Sequence, residues 1–448
     1  MTWDTARAGH RSIMVNGYDG AFAGKLSPAD RKLVERRERV LGKPYRLFYH
    51  KPIHPVRAEG AHLFDADGHD YLDAYNNVPA VGHSNPQVQA AVAQQLGTLN
   101  THTRYLTDGV VDYAERLTSK FPVPLTQAIF ACTGSEAVDL ALRIARQITG
   151  GEGVIITRNA YHGTTAASAA ISPSLGPGNR IPDTVAIVDA PDSVRGPGGE
   201  AAIAVFGAQI SQAITDFAER GIPLAGMIVD SVLSSDGLRL DPRAFLDHAA
   251  GLVRAAGGLY IADEVQPGFG RTGSWWGFER HGTVPDLVVL GKPMGNGMPI
   301  SAVIGSPEVF ERFGSEVRYF NTFGGNPVSI AAASAVLDEI EDRHLLAHAA
   351  SVGEQLAAGI REIGAESGRV AEVRAAGLFL GVEYVDSAGA PDPGAALALV
   401  NGLRERRILV SASGTFENVL KIRPPLVFTA GDAARFLDGF AAVSRELG

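Results

Sequence analysis

The chain has 448 residues, 45% of them hydrophobic and 20% charged, a composition that is ordinary for a soluble globular protein with a large buried core. Its formal net charge of −9 argues against a general affinity for nucleic acid, but it leaves room for a local basic pocket around an anionic ligand. The single cysteine, Cys132, excludes an internal disulfide and a cysteine-based metal site, and it predicts a reducing, cytoplasmic location.

Residues 1–84 are predicted to be an N-terminal segment and part of a small mixed domain. The first 20 residues lack the apolar core of a signal peptide, and no later stretch combines the length and the low charge of a membrane span, so we expect neither export nor membrane insertion. An N-cap serine ahead of a first-turn proline predicts an exposed helix over residues 27–40. A β-hairpin is predicted from His62 to Leu72, with Asp67-Gly68 as its turn.

Residues 85–340 are predicted to form a large α/β domain, because helical stretches alternate there with short apolar strands. Seven strands are predicted, at Ala128–Ala131, Gly153–Thr157, Val185–Val188, Gly226–Asp230, Gly258–Asp263, Asp286–Leu290 and Ser301–Ile304. Their spacing favours one mainly parallel sheet, and a Gly/Pro-rich stretch at 192–200 is predicted to be a surface loop. The remainder, 341–448, is predicted to be a small α+β domain that packs beside the N-terminal segment.

Two ionisable side chains, Asp263 and Lys292, stand where apolar runs stop. At the carboxyl edge of a parallel sheet, where ligands bind, this pair indicates pyridoxal phosphate chemistry; a plain salt bridge is the alternative. Lys292 would form a Schiff base with the cofactor aldehyde, and Asp263 would keep the ring nitrogen protonated. Lysine is scarce after Lys120, where only Lys292 and Lys421 occur, and the glycine-rich surroundings of Lys292 favour a desolvated, nucleophilic amine.

Further cofactor contacts are predicted around this pair. Gly134 and Ser135 begin a helix after a short strand, which suits a phosphate, although capping alone would also explain Ser135. Tyr161 could stack on the cofactor ring or be a core aromatic. Val265 could present a methyl surface to the ring and Gln266 could hydrogen-bond its phenolic oxygen, and ordinary packing is the alternative for both.

One glycine pattern is rejected as a nucleotide motif. Residues 268–273 match the spacing of a dinucleotide-binding turn, but tryptophans, glycines and a proline follow instead of a helix.

These motifs together resemble the class III aminotransferase family, pyridoxal phosphate enzymes of fold type I, over nearly the whole chain. The resemblance assigns cofactor roles to residues that match the family's motifs, namely Gly134, Ser135, Tyr161, Asp263, Gln266 and Lys292. Thr322 matches the threonine that in this family reaches the phosphate of the neighbouring subunit; the alternative is a simple turn residue. The resemblance therefore implies a homodimer, or a dimer of dimers, with shared active sites.

The chain departs from the better-known members at two places. Lys421 stands at the position of their substrate-carboxylate arginine, with Arg423 displaced from it, and Asp230-Ser231 replaces a Glu-Pro pair. Both departures argue against the usual recognition of an α-carboxylate. Several stretches, such as residues 99–106, most resemble a subgroup that includes phospho-lyases acting on phosphoethanolamine or phosphohydroxylysine, together with plain transaminases.

Two functions follow from the resemblance. The first expectation is an aminotransferase that moves an amino group from an amine or amino acid to a keto acid. The alternative is a lyase that eliminates phosphate or ammonia from a phosphorylated or phosphonate amine. Arg104, Lys421 and Arg423 would then contact the anion, unless they only form surface or interface pairs. A protein that binds the cofactor without turnover would have lost the acid or the lysine, and both are present.

Overall fold

The computed structural model describes residues 14–447. Its helices are α1 (Pro28–Val40), α2 (Pro86–Leu96), α3 (Asp108–Thr118), α4 (Gly134–Thr149), α5 (Ala166–Ala170), α6 (Gly199–Glu219), α7 (Phe245–Ala255), α8 (Pro307–Glu316), α9 (Pro327–Asp342), α10 (Leu345–Ser367), α11 (Pro393–Glu405) and α12 (Ala430–Leu447). Its strands are β1 (Pro55–Glu59), β2 (His62–Asp65), β3 (Asp70–Asp73), β4 (Gln127–Ala131), β5 (Gly153–Thr157), β6 (Val185–Val188), β7 (Leu224–Asp230), β8 (Leu259–Asp263), β9 (Leu287–Leu290), β10 (Ser301–Gly305), β11 (Val370–Ala376), β12 (Phe379–Tyr384), β13 (Ile408–Leu409), β14 (Ser411–Ser413) and β15 (Val419–Ile422).

The seven-stranded sheet has the order β4-β10-β9-β8-β7-β5-β6. Only β10 runs antiparallel to its neighbours, so the predicted mainly parallel sheet is confirmed. The register sets Asp230 directly beside Asp263, and Asp263 beside Val289. The ends of β7, β8 and β9 therefore meet at one edge, where Lys292 follows β9.

Apolar side chains cover both faces of this sheet. Ile228 and Ile261 pack towards helix α4, whereas Met227 and Tyr260 belong to the larger core that includes α6 and α7. Strands buried on both faces need continuous apolar sequence, and this explains why β7 to β10 read as unbroken hydrophobic runs. The burial makes the carboxyl edge of the sheet a rigid base for polar side chains.

Both ends of the chain contribute to two smaller sheets. One has the order β1-β2-β3-β13, in which β13 from the C-terminal part pairs parallel with β3; the other has the order β11-β12-β15-β14. The predicted hairpin is confirmed by the antiparallel pairing of β2 and β3 and by Gly68, whose φ of 81° suits the turn. Residues 1–13 of the predicted N-terminal segment lie outside the described residues. The division of the chain into 1–84, 85–340 and 341–448 stays a prediction.

Two details differ from the sequence expectations. Helix α6 has 21 residues and is long and apolar enough to cross a membrane by length and composition, yet its Phe206 and Phe217 are buried in the core of the α/β domain. The loop predicted at 192–200 is also not purely a surface feature. Its Arg195 donates to the fully buried Glu383 of β12, because a buried carboxylate needs charged donors.

Candidate active site

A cavity of about 310 Å³ opens at the carboxyl edge of the large sheet. It is lined by every cofactor-site residue that the sequence predicts within one subunit: Gly134, Ser135, Tyr161, Asp263, Val265, Gln266 and Lys292. Its volume falls in the range of small-molecule sites, and its place is the one that an open parallel sheet offers to a ligand.

Lys292 lies directly after β9 with a φ of 25°, a strained conformation for a residue with a side chain. Burial lowers the pKa of its amine to about 8, Arg423 contributes in the same direction, and Asp263 and Asp230 oppose the shift. An amine with this pKa is partly neutral near physiological pH, and only the neutral amine is a nucleophile.

Asp263 is held by His162 rather than by an arginine. The Nδ1 of His162 lies 2.6 Å from Oδ2 of Asp263, and the backbone N–H of Val265 donates to Oδ1 at 3.0 Å. Arg271, the next arginine along the chain, donates to the backbone carbonyls of Leu378 and Pro424 and not to Asp263. Both contacts fix the orientation of the Asp263 carboxylate at the strand end.

His162 was not among the predicted site residues. It is 4% exposed, and its Nε2 has no hydrogen-bond partner among residues 14–447. The sequence signal was its position next to Tyr161, which was read for its aromatic ring alone. Tyr161 is 41% exposed and lies at the cavity wall.

The first turn of helix α4 leaves backbone donors for an anion. A capping box uses the Glu136 N–H, which donates to Thr133 at 3.2 Å. The N–H groups of Gly134 and Ser135, at the positive end of the helix dipole, are then left for a ligand. A Cβ added to Gly134 would lie 3.1 Å from a methyl of Val265, so only glycine lets this turn come so close to the strand ends.

Two cations, Lys421 and Arg423, lie close to the cavity residues Lys292 and Gln266. They are 9% and 7% exposed, and within residues 14–447 neither has a carboxylate at ion-pair distance. Arg423 donates to the neutral Oε1 of Gln266, and its guanidinium lies 4.6 Å from the ring of Tyr75. Its Nε is buried and has no hydrogen-bond partner within residues 14–447. Burial and the nearby Arg423 lower the pKa of Lys421 to about 7, while Asp230 opposes that shift.

Asp230 also lines the cavity, although the sequence had marked it only as a departure from the family pattern. Its carboxylate accepts from the hydroxyl of Ser234 and from the backbone N–H groups of Val232, at 3.0 Å, and Ser234, at 3.1 Å. Burial and the neighbouring Asp263 raise its pKa. Asp230 thus connects the carboxyl edge of the sheet to Ser234, which in turn contacts Gln266, the partner of Arg423.

The loop after Lys292 is tied to the opposite wall by Asn296. Its side chain accepts from the backbone N–H of Val81 at 3.0 Å and donates to the carbonyl of Gly82 at 2.9 Å. Asparagine tolerates the left-handed φ of 50° found here better than most residues do. This clamp was also missed, since a link between residues over 200 positions apart leaves no local signal.

Lys421 and Arg423 do not line the cavity of their own chain, and neither do two further predicted site residues, Arg104 and Thr322. The last two are exposed, and the guanidinium of Arg104 stacks 3.7 Å from the ring of Phe320, two residues before Thr322. Tyr105, which is 63% exposed, and Phe323, which is 68% exposed, extend the same apolar patch. A patch of this kind marks a contact surface.

Comparison with known proteins gives one family. The sequence model of the family described as Aminotransferase class-III matches residues 48–443. A solved phospholyase from Arthrobacter in complex with phosphoethanolamine is 41% identical, with a TM-score of 0.90, over 93% of this chain and 100% of that chain. A Drosophila melanogaster protein named alanine–glyoxylate aminotransferase 2-like is 40% identical over 91% of this chain and 85% of its own length. A Caenorhabditis elegans protein named ethanolamine-phosphate phospho-lyase homolog 1 is 35% identical over 91% of this chain and 92% of its own length.

Proposed function

The chain belongs to the class III aminotransferases, fold type I enzymes that use pyridoxal 5'-phosphate, and on this premise we propose that it eliminates phosphate from a phosphorylated amine. One observation carries the proposal: Lys421 and Arg423 are buried cations without a carboxylate partner among the described residues. Burying an unpaired charge is costly, and burying two is more so. A doubly charged anionic ligand would offset that cost.

The described residues fit the cofactor. In this proposal the free N–H groups of Gly134 and Ser135 hold its phosphate, Asp263 faces its ring nitrogen and Lys292 attaches to its aldehyde carbon. The unpaired Nε2 of His162 leaves that side chain a donor or acceptor site beyond Asp263. When bound, pyridoxal phosphate supplies an aldehyde that captures the substrate amine and a ring that accepts electrons from the adjacent carbon.

The protein side chains then divide the work. The amine of Lys292 removes a proton from the carbon that bears the nitrogen, and its lowered pKa suits this role as a base. Lys421 and Arg423 hold the phosphate on the neighbouring carbon and stabilise the charge that develops as the C–O bond breaks. Phosphate leaves with its electron pair and needs no proton from the enzyme. For phosphoethanolamine, the substrate plus one water gives acetaldehyde, ammonia and phosphate.

Amino transfer is the second candidate. Lys292 would remove the same proton and return it to the cofactor carbon, so no additional residue is needed. The Drosophila relative that is 40% identical carries an aminotransferase name, which favours this candidate. What counts against it as the first choice is the charge of the anion site, because one carboxylate of a keto acid brings a single negative charge, whereas a phosphate monoester brings up to two and matches two cations better.

We further propose a homodimer in which each active site is completed by the neighbouring subunit. Arg104 and Thr322 share an exposed patch with Tyr105 and Phe323, away from the cavity of their own chain. Association through this patch would bury those aromatic rings and could carry Thr322 to the cofactor phosphate of the other subunit.

A panel of incubations tests the reaction. Holoenzyme receives phosphoethanolamine alone, then a hydroxylated aminophosphonate alone, then an amine with pyruvate or 2-oxoglutarate, and phosphate, ammonia and new amino acid are measured. We expect phosphate and ammonia from phosphoethanolamine without any keto acid. Ammonia from the phosphonate alone would show that the enzyme eliminates hydroxide and not phosphate. Product that forms only with a keto acid would establish the transaminase instead.

A further inference from the structure

We infer that Ser234 is a positioning residue for anion recognition: it fixes the direction of the Gln266 amide, which in turn orients Arg423. The inference rests on the proposed function to the extent that Arg423 binds the leaving anion. It concerns a residue that lies outside the motifs of the cofactor site.

Four side chains form a continuous hydrogen-bonded row from β7 to β15. The hydroxyl of Ser234 donates to Oδ2 of Asp230. The Nε2 of Gln266 donates to that hydroxyl at 2.6 Å, and Nη1 of Arg423 donates to Oε1 of Gln266. Ser234 is 0% exposed, so water does not replace the two contacts that its hydroxyl makes.

The row can run in only one direction. A guanidinium has donors and no acceptor, so the amide atom that faces Arg423 must be the oxygen of Gln266. The nitrogen of that amide then points to Ser234, whose hydroxyl must accept it and pass its own hydrogen to the carboxylate of Asp230. Gln266 accepts and donates through two separate atoms, whereas Ser234 does both through one oxygen, and it thereby links the amide to the fixed acceptor of Asp230.

Without the hydroxyl, the amide nitrogen of Gln266 loses its buried acceptor, and the contact with Arg423 alone fixes the direction of the amide. Rotation about the terminal bond, which has a broad energy profile, then brings the amide nitrogen towards Arg423 for part of the time. Donor would then face donor, and the guanidinium would move away from the cavity. The anion site would lose the orientation of one of its two cations, although its charge would remain.

The neutrality of Gln266 matters as much as its direction. An amide oxygen orients Arg423 without cancelling its charge, whereas a carboxylate at the same place would form an ion pair and compete with the anion. The row therefore holds a guanidinium still while leaving it available. Asp230 supplies the negative end of the row three hydrogen bonds away from Arg423.

Binding of inorganic phosphate to the holoenzyme tests the inference directly, because the cofactor already occupies its own phosphate site. Titration calorimetry compares wild type, Ser234→Ala, Ser234→Thr and Ser235→Ala. Ser235 is the matched control, since its backbone carbonyl accepts from the N–H of Gly414 and this contact remains in Ser235→Ala. We expect the Kd for phosphate and the KM for phosphoethanolamine to rise about tenfold in Ser234→Ala, with kcat changed much less. Ser235→Ala should match wild type, and Ser234→Thr should restore binding because it retains the hydroxyl.

The outcomes separate the two proposals. If wild-type holoenzyme does not bind phosphate at all, the anion site and the proposed function fail together. If wild type binds phosphate and Ser234→Ala binds it equally well, the proposed function stands and the role of Ser234 is refuted. Loss of the cofactor's visible absorbance in Ser234→Ala would also overturn the inference, because Ser234 would then act on the cofactor and not on Arg423.

Discussion

The two halves of the active site treat charge in opposite ways. On the cofactor side, the carboxylate of Asp263 receives donors from His162 and from the Val265 backbone. On the other side, Lys421 and Arg423 are equally buried but have no carboxylate at ion-pair distance within residues 14–447. A half whose charges are satisfied by the protein is built to hold its ligand's orientation. The half whose cations have no carboxylate partner among the described residues requires an anionic ligand to balance its charge.

The largest expected effect comes from Lys292, the residue that both halves share. Lys292→Ala should remove the visible absorbance of the attached cofactor and reduce turnover by at least about 10³-fold, because neither attachment nor proton removal has a substitute. Absorbance spectra and product assays check this, with the exposed Lys43→Ala as the matched control. An unchanged spectrum would remove Lys292 from its assigned role.

A change at Asp263 tests the cofactor half by itself. Asp263→Asn keeps the shape and one acceptor but loses the charge that would keep the ring nitrogen protonated. We expect bound cofactor to persist and kcat to fall by about 10²- to 10³-fold, as for the loss of one preorganised electrostatic group. Near-normal kcat with full cofactor content would show that Asp263 has no electronic role.

Lys421 tests the other half through stability as well as activity. Lys421→Met should raise the KM for phosphoethanolamine by about tenfold to a hundredfold, as expected when a charged hydrogen-bond partner is lost. It should also raise the free energy of unfolding by about 1 kcal/mol or more, because it removes an unpaired buried charge.

The size of that gain in stability depends on pH. The pKa of Lys421 is lowered to about 7 in the folded protein, so the unfolded chain binds more protons above that pH. The gain in Lys421→Met should therefore be complete below about pH 7 and disappear as the pH rises towards the ordinary range of lysine. Denaturant unfolding of the holoenzyme at several pH values measures it, and a destabilised variant would mean that Lys421 is paired after all.

The pH dependence of KM gives the smallest predicted effect. Lys421 is charged only below about pH 7 in the empty site, whereas a phosphate monoester gains its second charge above about pH 6. The KM for phosphoethanolamine should therefore be lowest between these values and rise on the alkaline side. That alkaline rise should be absent from Lys421→Met, and its persistence would assign it to another group.

Much of the fold and of the cofactor half could be predicted from sequence because the signals there are local. Continuous apolar runs identified the strands around Asp263 and Lys292, and a Gly-Ser pair after a strand identified the start of α4. The class III family and the pyridoxal phosphate cofactor, inferred from those motifs, are confirmed by the family match. The roles of individual residues, Thr322 included, stay predictions.

Most of the contacts that sequence reasoning missed join distant parts of the chain. His162 and Asp263 are 101 positions apart, and Gln266 and Arg423 are 157 apart. Such pairs depend on which strand ends become neighbours in the sheet, and periodicity within one segment carries no information about that. The loop that carries Arg195 was expected at the surface for the same reason, since its buried partner Glu383 lies 188 positions away.

The most direct test of the anion site as a site for a leaving group is a count of turnovers without an acceptor. Holoenzyme is incubated with excess phosphoethanolamine and no keto acid, and phosphate, ammonia and acetaldehyde are measured per active site. A lyase regenerates its cofactor in each cycle, so we predict many equivalents of all three products in equal amounts. A transaminase stops after one amino group per site, so at most one turnover, with no phosphate released, would contradict this account.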